Sequence, residues 1–186
     1  MEIHGEKVML SRISVSDLDF IYRIECDKDL WYFEESVESD EQVVRAKYLH
    51  KISEGNQSNS YDFIVRLKVD GQMVPIGLAQ VWSYIDFRKS WEIGFAIIPE
   101  YGGHGYGSEA AKLLLGYAFE QLDAHKVVGM CNAKNIRSEM LMRHVGMRQE
   151  AIFKEELMWH DQWTDQYYFS ILEREFLKAD NKERGI

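Results

Sequence analysis

Two different periods of hydrophobic residues meet near the centre of the chain, between residues 91 and 122. From Trp91 to Ile98, bulky apolar residues occupy every second position at first, which predicts a β-strand. From Ser108 to Leu122, apolar residues recur three and four positions apart, which predicts an amphipathic helix. A glycine-rich segment, residues 102–107, joins the two. The pattern therefore predicts a central strand, a glycine loop and a central helix.

The same periods predict the other elements around this centre. Further strands are predicted at residues 8–13, 62–69, 74–82, 126–131, 147–159 and 164–172, and further helices at 18–24, 39–55 and 135–144. Turn signals at Asp70-Gly71 and at His160-Asp161-Gln162 join four of these strands into two hairpins. The central helix makes the strand at 126–131 a parallel neighbour of the central strand. We predict an α/β (α+β) fold: a mixed, mostly antiparallel sheet of about seven strands, one central parallel pair and about four helices.

Length and composition favour a single domain over residues 1–186. The chain is 46% hydrophobic and 13% aromatic, enough for a sizeable core. The polar residues 56–60 are interpreted as a connection inside the domain, and the polar tail 178–186 is expected to fray.

The charge and the cysteines narrow the function classes. A formal net charge of −9 argues against general nucleic-acid binding. It is compatible with a cationic acceptor such as an amine, and equally with an acidic protein that has no charged ligand. Cys26 and Cys131 are too few for a disulfide framework or a zinc site, and the six histidines show no metal spacing. We expect a cytoplasmic protein with no metal, no export signal and no membrane span.

The glycine loop suits an anion. Glycines allow neighbouring backbone N–H groups to converge, and a helix start adds partial positive charge, so a phosphate or pyrophosphate is the functional interpretation. A strand-to-helix turn without a ligand is the alternative. Gly107-Ser108-Glu109 lacks the lysine of a P-loop, and Ser108 stands where a dinucleotide fingerprint has its third glycine.

Two motifs give the chain a family resemblance. Gly102-Gly103-His104-Gly105-Tyr106-Gly107 resembles the coenzyme A loop of the GNAT acyl-CoA-dependent N-acetyltransferases, and Asn132-Ala133-Lys134-Asn135-Ile136-Arg137-Ser138 with Gly146-Met147 resembles that family's second motif. The resemblance implies acetyl-CoA as the cofactor and a central strand pair splayed into a V around its pantetheine arm. Gly102 departs from the usual Gln or Arg, which removes one side-chain contact to phosphate.

The resemblance also implies a set of cofactor-binding residues on the central strand, the loop and the second motif. A backbone N–H near residues 95–97, where the family has a bulge, would meet the oxyanion. Asn135 matches a residue that binds the pantetheine arm, although a helix N-cap is an alternative role for it. The complete predicted set is Phe95, Ala96, Ile97, Gly102, Gly103, His104, Gly105, Tyr106, Gly107, Ser108, Asn132, Asn135 and Ser138.

Glu92 and Ser138 are the catalytic candidates. Alternation places Glu92 on the small-residue face of the central strand, where a carboxylate could take a proton from the amine through water. The alternative is a structural ion pair with a neighbouring Arg or Lys. The family's tyrosine acid corresponds to Met142, so Ser138, one turn earlier, is the candidate proton donor for the leaving thiolate. The alternatives are that Ser138 only caps the helix and that water is the acid.

The acceptor site is predicted on residues outside both motifs. Aromatic residues followed by acids in the 30–36 connection could form a pocket with a negatively charged edge, or could simply pack on the core. The chain most resembles the branch that acetylates protein amino termini, including those of ribosomal proteins. A polyamine acetyltransferase is the alternative within the family, and a non-catalytic acyl-CoA-binding domain is the alternative from another class. We expect a monomer or homodimer. The predicted acceptor residues are Trp31, Phe33, Glu34, Glu35, Tyr84 and Tyr168.

Overall fold

An eight-stranded sheet with helices on both faces forms the centre of the protein. The structure is a computed structural model that describes residues 1–55 and 59–183. The strands are β1 Glu2–His4, β2 Val8–Arg12, β3 Ser60–Val69, β4 Gln72–Ile85, β5 Ser90–Ile97, β6 Lys126–Asn132, β7 Arg148–Trp159 and β8 Gln162–Leu172. The helices are α1 Leu18–Glu25, α2 Glu41–Glu54, α3 Tyr106–Gln121, α4 Ile136–His144 and α5 Glu173–Glu183.

The sheet has the order β1-β2-β3-β4-β5-β6-β8-β7, and β5 and β6 form its parallel pair. The other neighbours are antiparallel. The hairpin turns lie at Asp70-Gly71 and His160-Asp161, where positive φ angles give the tight reversal that the sequence predicts. The predicted fold class and the mixed sheet are therefore confirmed.

Two hydrophobic cores lie on opposite faces of the sheet because successive strand residues point to opposite sides. Phe63 and Val65 pack with α3 and α4, whereas Ile64, between them, packs with α1 and α2. A polar contact adds to the second core: Lys51 Nζ on α2 lies 2.8 Å from Asp62 Oδ1 on β3. These contacts fix α1 and α2, and so both ends of the connection between them.

Several boundaries differ from the prediction. The sequence pattern missed β1, whose three residues are too few to show a period, and α5. Helix α5 follows β8 directly, and its Phe176 ring packs 5.2 Å from the Phe119 ring. The expectation of a frayed tail is thus wrong as far as Glu183, and residues 184–186 lie outside the described residues. Part of the predicted connection, residues 56–58, lies outside them too. No helix in the described ranges is long and apolar enough to cross a membrane.

Candidate active site

The parallel strands β5 and β6 separate after a short contact. They are paired only from Ser90↔Lys126 to Glu92↔Val128. Beyond that point, β5 continues against β4 as far as Ile97, and β6 continues against β8 as far as Asn132. The sheet therefore opens into a V between residues 93–97 and 129–132, as the family resemblance implies.

The backbone of β5 supplies hydrogen-bond donors along one side of this V. The Ile98 N–H donates to Ile76 O on β4 at 2.9 Å. Peptide groups alternate in direction along a strand, so the N–H groups of Phe95 and Ile97 point away from β4 and into the V. The predicted bulge at residues 95–97 is wrong, because the β4–β5 register is continuous from Trp91 to Ile97. The bulge between β4 and β5 lies on β4 instead, where Tyr84 is the extra residue. The N–H groups of Phe95 and Ile97 are exposed because β6 no longer pairs with β5 at these positions.

The small-residue face of β5 is partly covered by an aromatic ring that the sequence pattern did not reveal. Glu92, Gly94 and Ala96 lie opposite Trp82, Gln80 and Leu78 of β4. A Cβ atom at Gly94 would lie 3.1 Å from the Trp82 ring. Trp82 therefore packs beside Glu92, and as a hydrogen-bond donor its side chain lowers the pKa of the Glu92 carboxyl group.

The glycine loop ends in a helix start that has no side-chain cap. Gly103 and Gly105 have φ angles of +80° and +82°, the left-handed region that other residues rarely adopt. Gly105 is the N-cap of α3, which begins at Tyr106, two positions before the predicted start, and no side chain accepts its first N–H groups. Gly107 lies inside the first turn, where a Cβ would be 3.1 Å from Leu141 Cδ1. The chain itself thus leaves these donors for an anion, and the residues present fit a pyrophosphate.

A lysine distant in sequence also reaches this loop. Lys7 Nζ donates to the carbonyl oxygen of His104 at 3.4 Å. The Lys7 backbone N–H donates to Glu109 Oε1 in the first turn of α3 at 2.8 Å, which holds the β1–β2 turn against the helix. The His104 ring is stacked on Tyr106, with 5.6 Å between centroids. Sequence reasoning missed Lys7 because its contact with the loop is wholly tertiary.

Glu92 lies where β5 and β6 begin to separate, and it has an altered acidity. Its pKa is raised to about 7: burial is the main cause, the Trp82 side chain lowers the pKa as a hydrogen-bond donor, and the negative charge of Glu34 adds to the rise. Among the described residues, no Lys, Arg or His forms an ion pair with Glu92. The alternative of a structural ion pair is therefore wrong for this part of the chain. A carboxyl group with a pKa near neutrality can exchange a proton at physiological pH.

Three predicted acceptor residues gather around Glu92. Burial is the main cause that raises the pKa of Tyr168 to about 12, and the charge of Glu92 contributes to the rise; the Tyr84 ring lies 6.4 Å from the Tyr168 ring. Glu34 stays exposed by surface area, yet the protein around it and the charge of Glu35 raise its pKa.

The other three predicted acceptor residues make different contacts. Phe33 and Glu35 contact the β7–β8 hairpin. The Trp31 indole N–H donates to Ile24 O of α1 at 2.9 Å, which fixes the ring beside the second core. Trp31 and Glu34 line a cavity of about 320 Å³ at the end of α1. A larger cavity of about 650 Å³, beside α3 and β1, contains none of the predicted site residues.

The second motif is placed at the end of β6 and the start of α4. Asn135 is the N-cap of α4, and its side chain accepts from the Ser138 N–H at 3.1 Å. Ser138 is therefore not the capping residue. It lies half-buried one turn before Met142, which is buried against Gly129 of β6. The Asn132 side chain already has two protein partners, since it donates to Phe33 O at 3.3 Å and accepts from the Lys134 N–H at 2.9 Å. Within the described ranges, no group of three or more His, Cys, Asp or Glu side chains could hold a metal ion.

An uncapped helix start behind a glycine loop, next to a V-shaped opening in the sheet, is the arrangement of an acyltransferase that uses a coenzyme A thioester. The family model described as an acetyltransferase (GNAT) domain matches residues 7–148. The chain therefore belongs to the GNAT acetyltransferase family.

Individual relatives agree with this assignment. The chain is 29% identical to the uncharacterized N-acetyltransferase YnaD of Bacillus subtilis, over 95% of this chain and 99% of that protein. It is 24% identical to the spermidine N(1)-acetyltransferase of Escherichia coli, over 97% of this chain and 94% of that protein. Its fold matches the spermidine N-acetyltransferase from Vibrio cholerae, solved in complex with CoA and spermine, with a TM-score of 0.80 at 21% identity over 93% of this chain and 99% of that one.

Proposed function

We propose that this acetyltransferase acts on a primary amine, and that its preferred acceptor is the α-amino group of a protein or peptide. The observation that carries the proposal is the Glu92 carboxyl group, whose pKa of about 7 places it between its acidic and basic forms at neutral pH. It stands where the V begins, within the electrostatic reach of a second acid, Glu34, and without a basic partner among the described residues.

The choice of an α-amino group follows from the acidities of base and acceptor. An α-ammonium group has a pKa of about 7.7–8.0, so proton transfer to Glu92 is uphill by about one pH unit, or about 1.4 kcal/mol. A lysine-like ammonium has a pKa of about 10.4, and the same transfer costs about 4.6 kcal/mol. An α-amino group therefore gives up its proton to Glu92 at a lower cost than an alkylamine does, which favours an α-amino acceptor.

The cofactor is assigned to groups that the fold leaves without partners. The N–H groups of Gly105, Tyr106, Gly107 and Ser108 would hold the pyrophosphate of acetyl-CoA, with Lys7 adding positive charge. Phe95 and Ile97 would donate into the V from the edge of β5. Acetyl-CoA supplies an acetyl group activated as a thioester.

The protein's own groups then have distinct tasks. Glu92 Oε accepts a proton from the acceptor ammonium, directly or through water. The N–H groups of Phe95 and Ile97 stabilise negative charge that develops beside β5. Ser138 Oγ–H is the proton donor that we assign to the sulfur side of the V. Glu34, Tyr84 and Tyr168 surround the acceptor next to Glu92.

A polyamine is the second candidate acceptor. The charge of Glu34 acts on Glu92, and neither has a basic partner in the described ranges, so the pair would favour an acceptor with more than one positive charge. The E. coli relative is named a spermidine N(1)-acetyltransferase, and it matches nearly the whole chain.

One comparison separates these candidates. The enzyme and acetyl-CoA are incubated with a peptide that has a free amino terminus and an internal lysine, with the same peptide blocked at its terminus, and with spermidine. We expect the highest kcat/KM for the free terminus and no acetylation of the blocked peptide, read by mass spectrometry. A higher kcat/KM for spermidine would favour the second candidate. Binding of acetyl-CoA without turnover of any amine would favour a non-catalytic domain.

A further inference from the structure

The β7–β8 hairpin is fastened to the connection between α1 and α2. We name residues 30–36 the acceptor segment. The Trp159 indole N–H donates to Tyr32 O at 2.7 Å, and the Met158 N–H donates to Glu35 Oε1 at 2.7 Å. The Trp159 ring is stacked on Phe33, with 5.7 Å between centroids and 19° between planes. These contacts join parts of the chain more than 120 residues apart.

Trp159 is the centre of this contact. Its ring also meets Tyr32 edge-on at 5.4 Å, and Lys134 Nζ lies 4.9 Å from the ring centroid. One side chain thus combines a hydrogen bond, a stacked ring, an edge contact and a cation. Because aromatic and cation–π contacts are each favourable and several meet on one ring, the acceptor segment is held more firmly than its exposed position suggests.

Glu34 lies between the fastened residues. On one side, Phe33 O accepts from Asn132 Nδ2 of β6 at 3.3 Å, and on the other side Glu35 is bonded to the hairpin. The Glu34 N–H itself donates to Trp31 O at 2.9 Å. The backbone of Glu34 is therefore fixed from both directions, at the end of β6 where the V is open.

We propose that Trp159 is a positioning residue: it holds the acceptor segment so that the Glu34 carboxylate stands beside Glu92, and it thereby sets how the acceptor amine is bound and deprotonated. The last part rests on the proposed function, since it takes Glu92 as the base. The first part concerns the placement of Glu34 alone, and it can be measured without any substrate.

The groups around Glu92 make this placement measurable. Burial is the main cause that raises the pKa of Tyr168 on β8 to about 12, so Tyr168 is neutral between pH 5 and 9. Tyr84 from β4 stands next to Tyr168, and Glu35 acts on Glu34. Lys126 is paired with Glu150 and lies 5.6 Å from the Tyr168 ring. Glu34 is thus the charged group that acts most directly on Glu92.

The test is a titration of Glu92 by carbon NMR of the glutamate carboxyl groups in the free enzyme, with the signal assigned by its loss in Glu92→Gln. Glu34→Gln should lower the pKa of Glu92, because a neighbouring negative charge is removed. Trp159→Ala should lower it as well, because Glu34 moves away and water enters. The variant that combines Trp159→Ala with Glu34→Gln should have nearly the same Glu92 pKa as Trp159→Ala alone, because both changes remove the same negative charge from Glu92.

Two more variants complete the titration experiment: Trp159→Phe as a conservative replacement and Trp163→Ala as a control. The phenylalanine keeps a ring against Phe33 but loses the indole N–H, so it should recover most of the parental titration. Trp163 is 60% exposed on the other strand of the same hairpin, and its replacement should leave Glu92 unchanged. In turnover, Trp159→Ala should lower kcat/KM for the acceptor by roughly 10- to 100-fold, the cost of a misplaced group, with the affinity for acetyl-CoA unchanged.

The possible outcomes separate the positioning role of Trp159 from the proposed function of the enzyme. If Trp159→Ala lowers only the melting temperature and leaves the Glu92 titration at the parental value, Trp159 is structural and the proposal is wrong. If Glu34→Gln does not move the Glu92 titration, Glu34 is not beside Glu92 and the proposal is again wrong. If the titration moves as expected but no amine is acetylated, the placement of Glu34 stands and the proposed function fails.

Discussion

Replacing Glu92 with glutamine should make the protein more stable at high pH while it removes the base. The pKa of Glu92 is about 7 in the folded protein, against an ordinary value of 4.5, because burial disfavours its charged form. The folded state therefore binds the proton more tightly than the unfolded state. The stability of the parent should then fall as the pH rises from about 4.5 to 7, and it should change no further through this group above pH 7.

The size of this effect on stability follows from the difference between the pKa of Glu92 in the folded protein and its ordinary value. A difference of about 2.5 pH units corresponds to about 3.4 kcal/mol if the carboxylate were fully shielded. The Glu92 side chain is only partly buried, so solvent screening reduces the effect to about 1–2 kcal/mol. For a chain of this length, each 1 kcal/mol changes the melting temperature by about 2–4 °C, so Glu92→Gln should gain about 2–8 °C at pH 8.

Activity should change in the opposite direction. Loss of a positioned base lowers kcat/KM by roughly 10²- to 10⁴-fold, and we expect this loss at pH 8. The gap between parent and variant should narrow below pH 7, because the parental carboxylate is then protonated as well. The measurements are pH–rate profiles and melting curves of both proteins, with Glu120→Gln, at an exposed position of α3, as the control.

Two results would refute this reasoning. A Glu92→Gln variant whose gain in melting temperature is the same at pH 5 and pH 8 would show that burial does not raise the Glu92 pKa. A variant with the parental pH–rate profile would remove Glu92 from the mechanism, whatever its stability.

Four further predictions concern the loop, the second motif and the sheet. Gly105→Val should abolish acetyl-CoA binding in calorimetry, because valine is strained at a φ of +82°; Gly116→Ala, where a Cβ has ordinary contacts, should bind normally. Lys7→Ala should weaken acetyl-CoA binding several-fold, with a smaller salt dependence than in the parent; an unchanged affinity would exclude Lys7 from the site. Ser138→Ala should lower kcat by roughly 10- to 100-fold at unchanged acetyl-CoA affinity, and a parental kcat would leave water as the acid. Gly77→Ala should destabilise the fold by about 1–3 kcal/mol or more in urea unfolding, because a Cβ there would lie 2.1 Å from the Ala96 carbonyl oxygen.

The sequence by itself determined the local elements, including the loop and helix to which we assign the cofactor. The strand at residues 91–97, the glycine loop and the helix behind it follow from hydrophobic period and glycine positions, which act over a few residues. The hairpin turns at Asp70-Gly71 and His160-Asp161 are equally local, since their positive φ angles are a property of the turn. The second motif indicated Asn135 as a possible cap, and the structure confirms that contact.

The acceptor side was decided by the tertiary structure. No local pattern predicts that Trp159 contacts Tyr32, that Lys7 reaches the carbonyl of His104, or that Trp82 covers Gly94. Each of these contacts forms only when segments that are separate in the sequence pack together in the fold. The raised pKa of Glu92 has the same origin: alternation placed it on the correct face, but burial and a neighbouring Glu34 appear only after the sheet and the acceptor segment have packed. Periodicity fixes which way a side chain points, whereas its acidity depends on everything that packs around it.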